Sequence, residues 1–210
     1  MKAALLAASL ALLTCASASH SREMVGAGFV DNRMVQLFSD GTWEFLPVPL
    51  AEGCDLIDET VRVCDQDRVW RRSSGPDFDY DAIFTNTLSD RVFAAVASQS
   101  YGRNEGQNFD TMIAQTIETT AAAEGISVDA VPVHEVEDSS MSGYAAKRLV
   151  VGFRQDGLRQ INAFTFVVED SFSVLALTWA IGDAFSDEMR SAHDDFVGKL
   201  LILNADEVDQ

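Results

Sequence analysis

Three kinds of side chain in this sequence could do chemistry: histidines, cysteines, and a few arginines set among many acids. The histidines are His20, His134 and His193. Imidazole changes charge near neutral pH, which makes each a candidate general acid, base or metal ligand. His134 stands beside Glu135 and near Glu137, and His193 beside Asp194 and Asp195 on the flank of an apolar stripe. A surface histidine among carboxylates is usually only solvated. No Gly-x-Ser-x-Gly elbow, His-Glu-x-x-His, haem or thioredoxin motif accompanies either one. No catalytic residue and no cofactor is therefore assigned. A hydrolase of unrecognised type using His134 or His193 is kept as a lesser reading.

The cysteines are Cys15, Cys54 and Cys64. Cys54 and Cys64 read as a disulfide if the chain is exported. A metal reading is weak, because neither has a second Cys or a His at ligand spacing. The alternating run Asp77, Asp79 and Asp81 offers hard oxygen ligands for calcium. However, Ala82 falls where such a loop needs Gly, and Leu88 where it needs the bidentate Glu. Strand alternation explains the run better, with Phe78, Tyr80, Ala82 and Phe84 facing inward. Gly102 and Gly106 match no phosphate loop. Arg148, Arg154 and Arg159 flank one hairpin and could hold an acidic partner or anionic ligand. The competing reading pairs them with nearby Asp and Glu.

Composition narrows the partners. The chain has 15 basic and 33 acidic residues, a formal net charge of −18. Such a surface repels nucleic-acid phosphates and anionic lipid. Residues 1–18 read as an export signal: Met1-Lys2, an apolar run from Ala3 to Leu13, and the small-x-small site Ala16-Ser17-Ala18. That run is too short to span a bilayer, and no other segment approaches the required length. Leu12-Leu13-Thr14-Cys15 offers an alternative, a lipoprotein anchored through Cys15, although Thr fits the position before the Cys poorly. The expected location is periplasmic or secreted.

The elements that must position these residues centre on 143–181. Period-2 alternation marks three long strands, 144–153, 158–168 and 172–181. Asp156-Gly157 suits the first turn, and Glu169-Asp170-Ser171 lies in the second. Leu149, Val151, Phe153, Phe164, Phe166, Leu175, Leu177 and Trp179 then share one face. The other face is apolar but broken by Arg148, Arg159 and Thr165. A helix over 186–203, with its stripe Phe185, Met189, Ala192, Phe196, Leu200 and Leu203, is expected to lie across the Phe-rich face. A second helix runs from an Asn108 cap through Glu124 to a Gly125 stop, and is expected beside the first.

Upstream, 19–32 reads as a loose lead-in. Residues 34–38 and 43–46 form a hairpin about Asp40-Gly41, and 60–63 is a short strand. Ser73-Ser74-Gly75-Pro76 reads as a linker. Strands follow at 77–84 and 91–98, an extended segment at 126–136, and an acidic turn at 135–140. The expected division is a signal at 1–18, a small β module with the disulfide at 19–76, and an α+β domain at 77–210.

The helix 108–124, the polar gap, Gly143-Tyr144-Ala145-Ala146 opening a strand, the strand 172–180 and the closing Phe196–Leu203 together resemble the Mog1/PsbP-like α+β sandwich. That family includes photosystem accessory proteins, a Ran-binding factor and many bacterial envelope lipoproteins. The SDGTWEF hairpin resembles a DGTW-type β module found in exported bacterial proteins. The resemblance implies an antiparallel sheet with two helices packed on it, and a non-catalytic binding or assembly module with a protein partner in the cell envelope. A carrier holding a small apolar ligand between sheet and helices is the alternative.

Overall fold

The structure, a computed structural model, describes residues 24–30, 33–45, 53–73, 80–155 and 157–203. The expected export signal with Cys15, and also His20, Asp77, Asp79 and Asp156, lie outside these residues. The chain divides into two compact units, with the division after Pro47.

The first unit holds a three-stranded antiparallel sheet of β1 (Met24–Val30), β2 (Arg33–Phe38) and β3 (Trp43–Phe45). The expected hairpin forms, with Leu37 opposite Trp43 and Gly41 at φ 80° in its turn. Within the lead-in expected to be loose, residues 24–30 form β1, which pairs with β2. Its Gly26 and Gly28, residues depleted in strands, hid it from a propensity reading.

The second unit begins with β4 (Cys54–Leu56), β5 (Val61–Cys64) and β6 (Trp70–Arg72). It continues through β7 (Ala82–Asn86), β8 (Val92–Gln99) and α1 (Phe109–Glu124). Then come β9 (Val133–Met141), β10 (Tyr144–Gln155), β11 (Leu158–Val168), β12 (Ser173–Ile181), α2 (Asp187–Gly198) and β13 (Leu200–Ile202). Seven strands form one antiparallel sheet in the order β6-β7-β8-β12-β11-β10-β9, and β13-β5-β4 form a smaller one. The class is α+β, an antiparallel sheet with two helices, as the sequence implied.

The expected linker does not separate two bodies. β6 on one side of 73–76 pairs with β7 on the other, and Val61, Val63 and Trp70 are buried with Phe84 and Phe196 in one core. Cys54 and Cys64 are bonded and stand opposite each other on β4 and β5. Closing that short loop contributes about 2–3 kcal/mol in the chain-entropy account.

The two helices lie on opposite faces of the large sheet, not side by side. Met112, Ile113, Ile117 and Ala121 of α1 pack on Leu149, Val151, Phe164, Phe166 and Leu177. Thus α1, not α2, covers the Phe-rich face. α2 covers the other face, where Met189 meets Val150, Ile161 and Ala163, and Phe196 meets Phe84 and Trp70. Phe164 stands opposite Leu177, so the Phe-rich alternation holds across strands, although the loop between β11 and β12 takes four residues, 169–172. Parity depends only on whether the loop is odd or even.

The caps explain where the helices begin and end. Asn108 Oδ1 accepts from Thr111 N–H at 2.9 Å while Thr111 Oγ1 accepts from Asn108 N–H at 3.0 Å, and Gly125 leaves α1 at φ 67°. Ser186 caps α2. The expected helix over 186–203 ends early. Leu200–Ile202 forms a strand on β5, because Gly198 favours a stop there and β5 offers an open edge. The expected acidic turn at 135–140 is the middle of edge strand β9, paired along β10.

Candidate functional site

A concave cleft of about 590 Å³ opens at the end of the large sheet where β10 turns into β11. Strand pairing builds it. Arg154 on β10 stands directly opposite Arg159 on β11, and Gln155 opposite Leu158. Gly157 follows at φ 80°, the left-handed backbone its turn position requires. Both arginines are exposed. Arg159 Nη1 holds Asp183 Oδ1 at 3.2 Å, an ion pair exposed enough to be weak. Glu124, the last residue of α1, accepts the backbone N–H of Arg154 at 2.8 Å. Among the described residues the Arg154 guanidinium has no ion-pair partner.

His134 reaches the same cleft through a break in register. Glu135 pairs with Val150, but Val133 pairs with Val151, so His134 is the extra residue of a β-bulge. Bulges re-aim a side chain and gather at sheet edges. Here the ring lies over Gly152: a Cβ at Gly152 would come 3.3 Å from His134 Nε2 and 3.2 Å from Pro132 Cβ. Ile126 and Pro132 supply apolar surface. The cleft therefore offers two guanidiniums and an imidazole beside apolar surface, an arrangement that can hold an anionic group attached to an apolar one.

Arg148 does not belong to that surface, contrary to the sequence expectation. It is 8% exposed beneath α2. Its Nε donates to Glu135 Oε1 at 2.8 Å, its Nη1 to Asp194 Oδ1 at 2.6 Å, and its Nη2 to Glu137. Arg190 on α2 donates to Glu135 Oε2 at 2.7 Å, and its guanidinium lies 4.5 Å from the Phe185 ring centroid. The Arg190 hydrogen bond outweighs burial, and with Arg148 it holds the Glu135 carboxyl below its ordinary value. This network clamps α2 to β9 and β10.

His193 is buried, not solvated, at 1% exposure. Thr165 Oγ1 lies 2.8 Å from its Nε2 and Thr178 Oγ1 2.9 Å from its Nδ1. Burial first, then the nearby Arg148 charge, push the imidazole down to about 3. Both ring nitrogens are occupied and sealed under α2, so His193 holds structure and has no path to a substrate. Asp81, the one described member of the aspartate run, accepts from Ser98 N–H at 2.6 Å. Among the described residues no group of three or more His, Cys, Asp or Glu is placed to hold a metal ion. The space between the sheet and α1 is packed with side chains, which leaves the apolar-carrier reading without support.

Sequence reasoning placed Arg154 and Arg159 together through the hairpin, but missed Gly152 and the bulge at His134. Pro132 just ahead of the strand was the only cue to irregular pairing there.

No family model matches the sequence, and no curated protein matches it. Several solved structures are similar in outline. A Bacteroides thetaiotaomicron protein matches at 9% identity and a TM-score of 0.45, over 73% of this chain and 50% of its own, so this chain spans half that length. Cyanobacterial PsbP from Synechocystis matches at 9% and 0.47, over 69% and 87%. LpqN of Mycobacterium tuberculosis, involved in cell envelope biogenesis, matches at 13% and 0.36, over 75% and 83%. At TM-scores under 0.5 none of these likenesses specifies an activity. The α+β class rests on the chain's own elements. Among the described residues no helix is long and apolar enough to cross a membrane.

Proposed function

We propose that this chain is an exported bacterial envelope protein that acts as a binding or assembly module, docking a protein partner through the turn end of the β10–β11 hairpin. One observation carries the reading: in a chain of net charge −18, two exposed arginines stand opposite each other at the mouth of a cleft. Directly opposed like charges cost stability, so their placement favours a role outside the fold. The signal-like residues 1–18 and the Cys54–Cys64 disulfide both fit an oxidising compartment outside the cytoplasm. Cleavage after Ala18 gives a soluble protein, and lipidation of Cys15 a tethered one. No reaction and no cofactor is assigned.

The experiment is capture from native envelope extract on the immobilised wild-type chain and on R154E/R159E. The reading expects at least one protein retained by the wild type and lost from the variant. The same proteins on both would sink it.

A further inference from the structure

We infer that the cleft seats an acidic peptide segment, with one carboxylate held between Arg154 and Arg159 and an adjoining apolar side chain laid against Ile126 and Pro132. This rests on the docking reading above and adds the chemistry of what docks. Backbone pairing sets the two arginines side by side on one face of adjacent strands, so both side chains start from neighbouring positions before a ligand arrives. A carboxylate between them relieves their mutual repulsion and can take paired N–H bonds from either fork.

The internal acids do not fill that place. Glu124 spends Oε1 on the Arg154 backbone N–H. Asp183 contacts Arg159 through a pair whose side chains are 61% and 67% exposed, so a ligand carboxylate can displace it. His134 stands over Gly152 and adds ring nitrogens to the same cleft. The apolar surface and the cleft volume suit a few residues of extended chain, and charge complementarity selects acidic ones. A net charge of −18 disfavours a polyanion such as nucleic acid, whose many phosphates would meet the acidic surface around the cleft, more than a short peptide that presents one carboxylate to it.

The test titrates the full exported chain with a fluorescent acetylated Glu-Leu-Glu-Leu-Glu amide at low salt. Gln-Leu-Gln-Leu-Gln amide and free glutarate are the other probes. Expected results are saturable binding of the acidic peptide, affinity about tenfold or more weaker for the Gln peptide, and a similar loss with R154E/R159E. Amide resonances of Gly152 and Gly182 should shift on binding. Equal affinity for the Gln peptide, or binding that survives charge reversal, overturns the inference. Glutarate matching the peptide's affinity also overturns it, since the site would then recognise a free small acid. An arginine-dependent partner from envelope extract, with no binding of the acidic peptide, leaves the docking reading standing and removes this inference alone.

Discussion

The indole N–H of Trp70 donates to Asp195 Oδ2 at 2.8 Å, linking β6 to α2 across 125 residues. The same ring lies 4.9 Å from Phe196, in the core shared with Phe84. Lys199 adds a second tie, 3.3 Å from both Asp65 and Asp67. Burial opposes its charge, but Asp195, Asp65 and Asp67 together hold its ammonium above the ordinary value. Residues 53–73 are thus bound to the end of the chain. Trp70→Phe should cost about 1 kcal/mol by losing the hydrogen bond, and Trp70→Ala about 3–5 kcal/mol by opening a cavity. Denaturant unfolding of the whole chain checks this. A Trp70→Ala variant with unchanged stability would restore an independent module ahead of residue 77.

Arg148 is a clamp and not a contact surface. Arg148→Ala leaves Glu135, Glu137 and Asp194 without their shared cation. The expected loss is about 3 kcal/mol, toward the low end for breaking a buried pair because Glu137 and Asp194 keep solvent. Arg154→Ala and Arg159→Ala should each change stability by less than about 0.5 kcal/mol, as exposed substitutions do. Urea midpoints for the three variants decide between the roles.

The buried His193 should make the fold acid-sensitive near neutrality. The folded chain keeps the imidazole neutral down to about 3, whereas the unfolded chain takes up a proton near the ordinary 6.5. Between these values the unfolded state binds more protons, so stability falls as pH is lowered. The limiting slope is about 1.4 kcal/mol per pH unit. Glu135 has a depressed value, so its contribution is present above 4.5 and lost only on further acidification. Stability measured from pH 6.5 down to about 5 therefore isolates the histidine. His193→Gln should flatten the dependence in that range, and an unaltered slope would refute the assignment.

Gly102 is required by a close backbone approach. A Cβ there would fall 1.9 Å from Glu169 O and 2.8 Å from Phe172 N, both main-chain atoms. The loop is held against the β11–β12 turn by Arg103 N–H to Glu169 O at 2.7 Å and Asn104 N–H to Asp170 O at 3.0 Å. Gly102→Ala should cost about 3 kcal/mol or more. Gly152→Ala, where the neighbours are the exposed Pro132 and His134 side chains, should cost nearer 1 kcal/mol. Thermal unfolding of the two variants side by side gives the comparison.

Much of the fold was legible because local signals agreed. Asn108 and Gly125 bracket α1, the three long strands alternate, and Arg154 and Arg159 share a hairpin whose turn carries Gly157. The candidate site was only half legible. The hairpin arginines follow from local pairing, but His134 joins them through a bulge and a glycine on the neighbouring strand. A pattern read along one strand contains no record of its partner's register.

Alternation and helical spacing, taken alone, determined which positions of each element are apolar, and so the α+β class and its caps. They could not determine which of two apolar sheet faces each helix meets. α1 and α2 each carry one stripe, the sheet carries two usable faces, and the choice depends on how the connections cross the sheet edge. That choice put α2 over the Arg148 face, turning one of three candidate surface arginines into a buried clamp and sealing His193. It left Arg154 and Arg159 in solvent, because α2 ends its cover before the hairpin does. Leu200–Ile202 shows the same limit: its apolar residues fit a helix stripe or a strand, and only the open edge of β5 settled which.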